Sequence, residues 1–193
     1  MNEPPRKEGR WKRIRAYLKA RPWFSLNAGA SNWLWLTALV IGLDQWTKRL
    51  VMDGFEEFGA IDPWPVLRLQ RLHNEGAAFS FLADAAGWQR WLFISLGIGV
   101  SVAILVWLRR LPARGQHLLA AALCLVMGGA LGNVIDRVLW GHVVDFILVF
   151  PQWRIPFYGA PFPAFNVADS AITVGACLLI LDSLLQARPS RSD

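Results

Sequence analysis

Four stretches of the 193-residue chain, at positions 33–52, 88–108, 118–139 and 167–185, are apolar over nearly the length a helix needs to cross a bilayer, about 20 residues. Hydrocarbon offers no partner to backbone N–H and C=O groups, so a span must satisfy them within itself, as a helix does. None of the four shows the alternation of a membrane-barrel strand. The sequence therefore predicts an all-α membrane protein with four transmembrane helices. Composition excludes the other classes: 18% of residues are charged and 54% hydrophobic, whereas soluble domains carry about 25% charged residues and disordered chains are poor in apolar ones.

The formal net charge of +6 does not describe a nucleic-acid face, because eight of the 20 Lys and Arg residues precede position 22. More basic residues lie at Arg109, Arg110, Arg114, Arg188 and Arg191, while the connections 53–87 and 140–166 hold only Arg68, Arg71 and Arg154. Lys and Arg mark the cytoplasmic side. The expected organisation is a basic cytoplasmic segment at 1–32, a four-helix unit at 33–186 with two long outward connections, and a cytoplasmic tail at 187–193. The first span reads as a retained signal anchor, since no small-residue cleavage site follows it.

Within the first outward connection, 66–72 reads VLRLQRL, an alternation that fits a half-buried strand, and Asn74-Glu75-Gly76 is turn-prone. A small outer β element is expected there. The connection 140–166 is rich in Pro and aromatic residues and should be irregular and partly embedded at the interface. Trp33, Trp35, Trp88, Trp107 and Trp140 sit near span ends, as an aromatic belt requires. Cys124 and Cys177 lie in apolar runs without metal-ligand spacing and read as small core residues.

An ionisable group at mid-membrane costs about 2.5–3.5 kcal/mol on insertion scales, so each needs a reason. Asp44 and Lys48 fall in the outer half of the first span, Asn133, Asp136 and Arg137 share a face at the outer end of the third, and Asn166 and Asp169 open the fourth. Asp145, just after the third span, lies at the same level. Structural readings compete at each position. Asp44 with Lys48 makes a helical ion pair, Asp136 with Arg137 a local charge network, and Asn166 with Asp169 an N-cap and its acid. Gly128 and Gly132 fit close helix packing, and His142 a polar interface residue. What these leave over is the pair Asp145 and Asp169. Two carboxylates in a low-dielectric site tend to share one proton, so that one serves as base toward water while the other donates to a carbonyl oxygen. No Ser-Lys or Cys-His set competes. The rival readings are a small proton or ion transporter, which would spread polar residues through the membrane depth, and a non-catalytic lipoprotein-binding membrane protein.

Five blocks, DQWTK at 44–48, HNEGAAFSFL at 73–82, GGALGNVIDR at 128–137, GHVVDFI at 141–147 and FNVADSAITVG at 165–175, together resemble the lipoprotein signal peptidases, or signal peptidase II. The resemblance implies an intramembrane aspartic endopeptidase of the bacterial inner membrane, its termini cytoplasmic and its active site facing the periplasm. It would cleave before the diacylglyceryl-modified Cys of prolipoproteins. It implies a periplasmic β-cradle and a periplasmic surface helix or loop, Asp145 and Asp169 as the catalytic pair, and Asp44, Lys48, Asn74, Gly76, Asn133, Asp136, Arg137 and Asn166 in support. It further implies no metal and no cofactor, a lipid-modified prolipoprotein and membrane lipids as partners, and inhibition by globomycin. Two features depart from the family pattern: a longer 146–165 stretch and a longer basic N-terminal extension.

Overall fold

The structure, a computed structural model, describes residues 29–76, 87–112, 114–149 and 163–187. The basic segment before position 29, the family block beyond Gly76, the Pro-rich stretch with its expected surface helix, and the tail from 188 lie outside the described residues.

A short 3₁₀ turn at Gly29–Trp33 leads into α1 (Leu34–Gly54), followed by β1 (Ala60–Trp64), β2 (Leu67–Asn74), α2 (Trp88–Arg110), α3 (His117–Leu139), β3 (Val143–Val149) and α4 (Val167–Gln186). The four helices match the four apolar runs to within two residues at each end. Helices α2, α3 and α4 are long and apolar enough to cross a membrane. Helix α1, at 21 residues, has the length, but Asp44, Lys48, Arg49 and Asp53 make it more polar than the rest.

Helix α3 is the hub, packing against α1, α2 and α4. Its small residues permit this. A Cβ on Gly128 would stand 2.8 Å from Val40 Cβ on α1, one on Gly132 would stand 2.7 Å from Asp44 Oδ2, and one on Gly129 would run into the Ala168 carbonyl of α4. Without a hydrophobic force between helices in lipid, backbone approach of this kind supplies the packing. The apolar core lies at the far end of the bundle from the charged groups, where Ile104, Leu108 and Leu111 meet Leu119, Leu123, Cys124 and Met127.

Cys124 is buried there as expected, but Cys177 is exposed. The buried stripe of α4 runs through Ala168, Ala171 and Gly175, and position 177 is turned away from it. Trp35, Trp88, Trp107 and Trp140 are exposed near helix ends. Trp33 instead packs on the apolar core.

The three strands form one antiparallel sheet in the order β1-β2-β3. The alternating sequence of β2 fits a half-buried strand, and every residue of the strand is half-buried. Three strands are too narrow to seal either face. Arg71 ties the sheet to the bundle by donating to the free carbonyls of Met52 and Phe55, at 3.3 and 3.2 Å, beyond the last turn of α1. At the end of α3, Gly141 has φ +87°, a left-handed turn that sends the chain directly into β3. Strand β3 then pairs with Phe165, two residues before α4: Ile147 and Phe165 exchange two main-chain hydrogen bonds at 2.9 and 3.1 Å. This brings Asp145 beside the start of α4.

Candidate active site

Asp145 sits opposite Leu72 of β2 and is 2% exposed. Its Oδ2 accepts from Asn74 Nδ2 at 2.8 Å and its Oδ1 from Asn166 Nδ2 at 2.7 Å. The Asn74 amide is oriented by its own turn, since its oxygen accepts from the Gly76 N–H at 2.8 Å. Position 76 must be glycine, because φ is +102° and a Cβ would stand 2.6 Å from the Phe93 ring. Burial pushes the Asp145 carboxyl up to about 7; the nearby Asp169 charge adds to this, and the bonds from Asn74 and Asn166 oppose it.

Asp169 lies in the first turn of α4. Asn166 caps that helix by accepting from the Asp169 N–H at 2.9 Å, and Asp169 Oδ2 accepts from the Asn166 N–H at 3.2 Å, completing a capping box. Asp169 Oδ1 also accepts from Asn133 Nδ2 at 2.7 Å. The cap expected from sequence is therefore present, but Asn166 does more than cap. Fully buried, it donates from its main chain to Asp169 and from its side chain to Asp145. One residue joins the two carboxylates.

Behind this pair lies a buried ionic cluster. Lys48 Nζ meets Asp44 Oδ2 at 2.8 Å, Asp136 Oδ2 at 2.7 Å and Asn133 Oδ1 at 3.1 Å. The helical pair expected between Asp44 and Lys48 exists, enlarged by a second carboxylate. Asp136 pairs with Lys48 on α1 rather than with its neighbour Arg137, because position 136 faces α1 and position 137 is turned some 100° further round α3. Arg137 instead donates to the Asn133 carbonyl at 3.1 Å and lies 4.9 Å over the Phe93 ring. The charges of Asp145, Asp169 and Asp136 all act on it.

All ten positions singled out in the sequence thus converge on one end of the bundle. Sequence reasoning passed over Gln45, whose Nε2 donates to Asp136 Oδ1 at 2.7 Å and also reaches Asp44 Oδ2 and the Gly132 carbonyl, each at 3.3 Å. Its partners on α3 lie 87 and 91 positions away, and nothing local to Gln45 in the sequence points to them. The sequence also gave His142 no partner, but its ring stacks on His73 at 3.9 Å, and His73 Nδ1 lies 3.1 Å from Glu57. Burial, with the His73 ring beside it, lowers the His142 pKa. Among the described residues no group of three or more His, Cys, Asp or Glu side chains is placed to hold a metal ion.

Two carboxylates on a common amide, one of them titrating near neutrality, can divide the roles of proton acceptor and proton donor around a small molecule. Residues 36–185 match the family model for signal peptidase (SPase) II. The chain is 54% identical over 155 residues to the lipoprotein signal peptidase of Pseudomonas aeruginosa, covering 80% of this chain and 88% of that one. It is 46% identical over 160 residues to the lipoprotein signal peptidase of Shewanella halifaxensis, covering 83% and 90%. Its fold is similar to a bacterial membrane enzyme solved by the in meso method at 2.3 Å, with TM-score 0.68 and 30% identity over 84% of this chain and 94% of that one. A second such structure, at 1.9 Å, gives TM-score 0.67 and 31% identity over 82% and 95%. A match spanning all four helices and the sheet, at identities this high, is a family relationship, and the chain belongs to the signal peptidase II family of peptidases.

Proposed function

We propose that this chain is an aspartic endopeptidase that removes the signal peptide of diacylglyceryl-modified prolipoproteins, cutting before the lipidated Cys, with Asp145 and Asp169 as its catalytic pair. The observation that carries the reading is the shared Asn166: it holds two acidic side chains from distant parts of the chain in one hydrogen-bonded unit. All four helices are read as spans. At about 1.5 Å per residue, α1 is long enough to cross the hydrocarbon, and its buried charges Asp44 and Lys48 are paired. Both termini lie on the cytoplasmic side, and the carboxylates stand at the periplasmic face of the inner membrane.

The substrate's apolar signal helix enters between spans while its acyl chains stay in the bilayer. A water held between the carboxylates loses a proton to the ionised one as its oxygen attacks the scissile carbonyl carbon. The protonated one gives its proton to the carbonyl oxygen, and a tetrahedral diol results. Collapse of the diol breaks the C–N bond as a proton passes to the leaving amine, and the shared proton is restored. Asn74 and Asn166 keep the Asp145 oxygens facing the site. Arg137 supplies a fixed positive charge beside the pair. Asn74 and Gly76 form the turn that closes β2 beside Asp145.

The test is cleavage of a lipid-modified precursor by the purified protein in detergent, with globomycin as control. Cutting should stop with the inhibitor and in both Asp145→Asn and Asp169→Asn, which keep the side-chain size and remove the titrating acid. Cleavage that persists in either variant removes that residue from the mechanism. Transport is the weaker reading, since the charged groups gather at one end of the bundle instead of marking a path through it.

A further inference from the structure

We infer that Lys48 is a positioning residue that sets the separation of the two catalytic carboxylates, gripping the chain immediately ahead of each. The inference rests on Asp145 and Asp169 being the reacting pair. An ammonium carries three N–H donors, and three acceptors surround this one, at 2.8 Å on Asp44, 2.7 Å on Asp136 and 3.1 Å on Asn133.

Each acceptor reaches onward to a different part of the pair. Asp44 Oδ1 accepts from the main-chain N–H of Ala168 at 2.9 Å, one residue before Asp169. Asp136 Oδ2 accepts from the main-chain N–H of Val144 at 3.2 Å, one residue before Asp145. Asn133 turns its oxygen toward Lys48 and thereby presents its NH₂ to Asp169 Oδ1 at 2.7 Å. Helix α4 and strand β3 are thus held by their backbones, and both holds end on one ammonium.

A simple helical ion pair needs only Asp44, one turn from Lys48. Asp136 and Asn133 come from α3 and add nothing to such a pair, whereas both are required if the cluster spans the distance between β3 and α4. Every hydrogen bond on the Asp44 and Asp136 oxygens comes from an N–H donor, so each carboxylate is held as an acceptor. Without the ammonium these two like charges repel, and the two backbone grips move apart. The raising of the Asp145 pKa by the Asp169 charge depends on their spacing, and a displacement of roughly 1 Å can lower a rate about 10²-fold.

Lys48→Met alone leaves two buried carboxylates unpaired and can fail to fold. The deciding variant is therefore the triple Lys48→Met, Asp44→Asn, Asp136→Asn, which removes all three charges while each Asn keeps an oxygen for the Ala168 or Val144 N–H. The full-length proteins, purified in detergent and checked by thermal unfolding, would be assayed across pH on a synthetic lipid-modified precursor. The expected triple variant is folded, with KM within about twofold of the parent and kcat lower by about 10²-fold. Its bell of kcat against pH should shift on the limb set by Asp145, whose carboxyl feels both Asp169 and Lys48. Lys48→Arg keeps the charge without the three-way geometry and should fall between the parent and the triple. Parental kcat and an unchanged bell in either folded variant would overturn the role of Lys48. With Asp145→Asn inactive in the same assay, the peptidase reading would survive that result. A parent protein that cuts nothing would end both.

Discussion

Two ion-pair sites of this molecule use similar distances to different ends. On the hairpin, Arg68 grips Asp62 through two bonds of 2.6 and 2.9 Å, with side chains 40% and 57% exposed. At the helix ends, Lys48 meets Asp44 and Asp136 at 2.8 and 2.7 Å with side chains at most 1% exposed. The shorter, bidentate pair is the surface one. It pulls the Asp62 carboxyl below its usual value, yet water on both sides screens it and would solvate either partner alone. The Lys48 cluster has no such alternative, so every group in it must be satisfied by another part of the fold. Burial, rather than distance, decides which pair holds the architecture together.

The comparison is broken most directly by Lys48→Met. Removing one partner of a buried ionic cluster should cost about 3–5 kcal/mol, read as a large drop in melting temperature in detergent. A melting temperature near that of the parent would show that the cluster is as dispensable as the hairpin pair. Next comes Gly132→Ala, whose methyl group would lie 2.7 Å from Asp44 Oδ2 and 3.3 Å from Ala168 Cβ. Overpacking at this junction should destabilise by about 1–3 kcal/mol and lower cleavage, because both contacted groups lead to the reacting pair. Restoration of activity by a compensating small residue at position 168 is not expected, since Ala168 is already small.

A smaller effect sharpens the contrast through pH. The Asp145 carboxyl holds its proton up to about 7, whereas in the unfolded chain it is released near the ordinary value of 3.8. The folded state therefore binds the extra proton between those values. The stability this supplies is complete below 3.8 and is lost as pH rises through about 7. Asp145→Asn does not titrate, so its melting temperature should gain on the parent's as pH goes from about 5 to about 8. A difference that stays flat across that range would place the titration elsewhere. The smallest expected change is Asp62→Ala, which should leave melting temperature and cleavage unaltered.

Much of the site was legible in the sequence for one reason. Charged and amide residues are expensive in apolar runs, so Asp44, Lys48, Asn133, Asp136, Arg137 and Asp169 announce themselves, and depth counting places them at one level. The same logic passes over a residue whose role is set by how two helices pack. Gln45 is neutral and directly follows Asp44, and its tie to Asp136 depends on how α1 packs against α3. Cys177 shows the converse failure: an apolar run gives no sign of which side of α4 meets a neighbour, and this residue is on the lipid-facing side. Alternation, by contrast, found both β2 and its half-buried character, because period-2 spacing is local to the strand.

The sequence by itself determined the four helices, the level at which polar groups collect, and the family. Those follow from transfer energies and spacing along the chain, which are local. Which carboxylate joins which partner was decided only by the tertiary structure. Asp136 chooses Lys48 over the adjacent Arg137, and Asn166 reaches across 21 positions of chain to Asp145, because glycine-lined helix contacts and the Ile147–Phe165 bridge bring those groups within hydrogen-bond reach. In a dry interior a donor takes the acceptor that packing puts in front of it, and packing is a property of the whole fold.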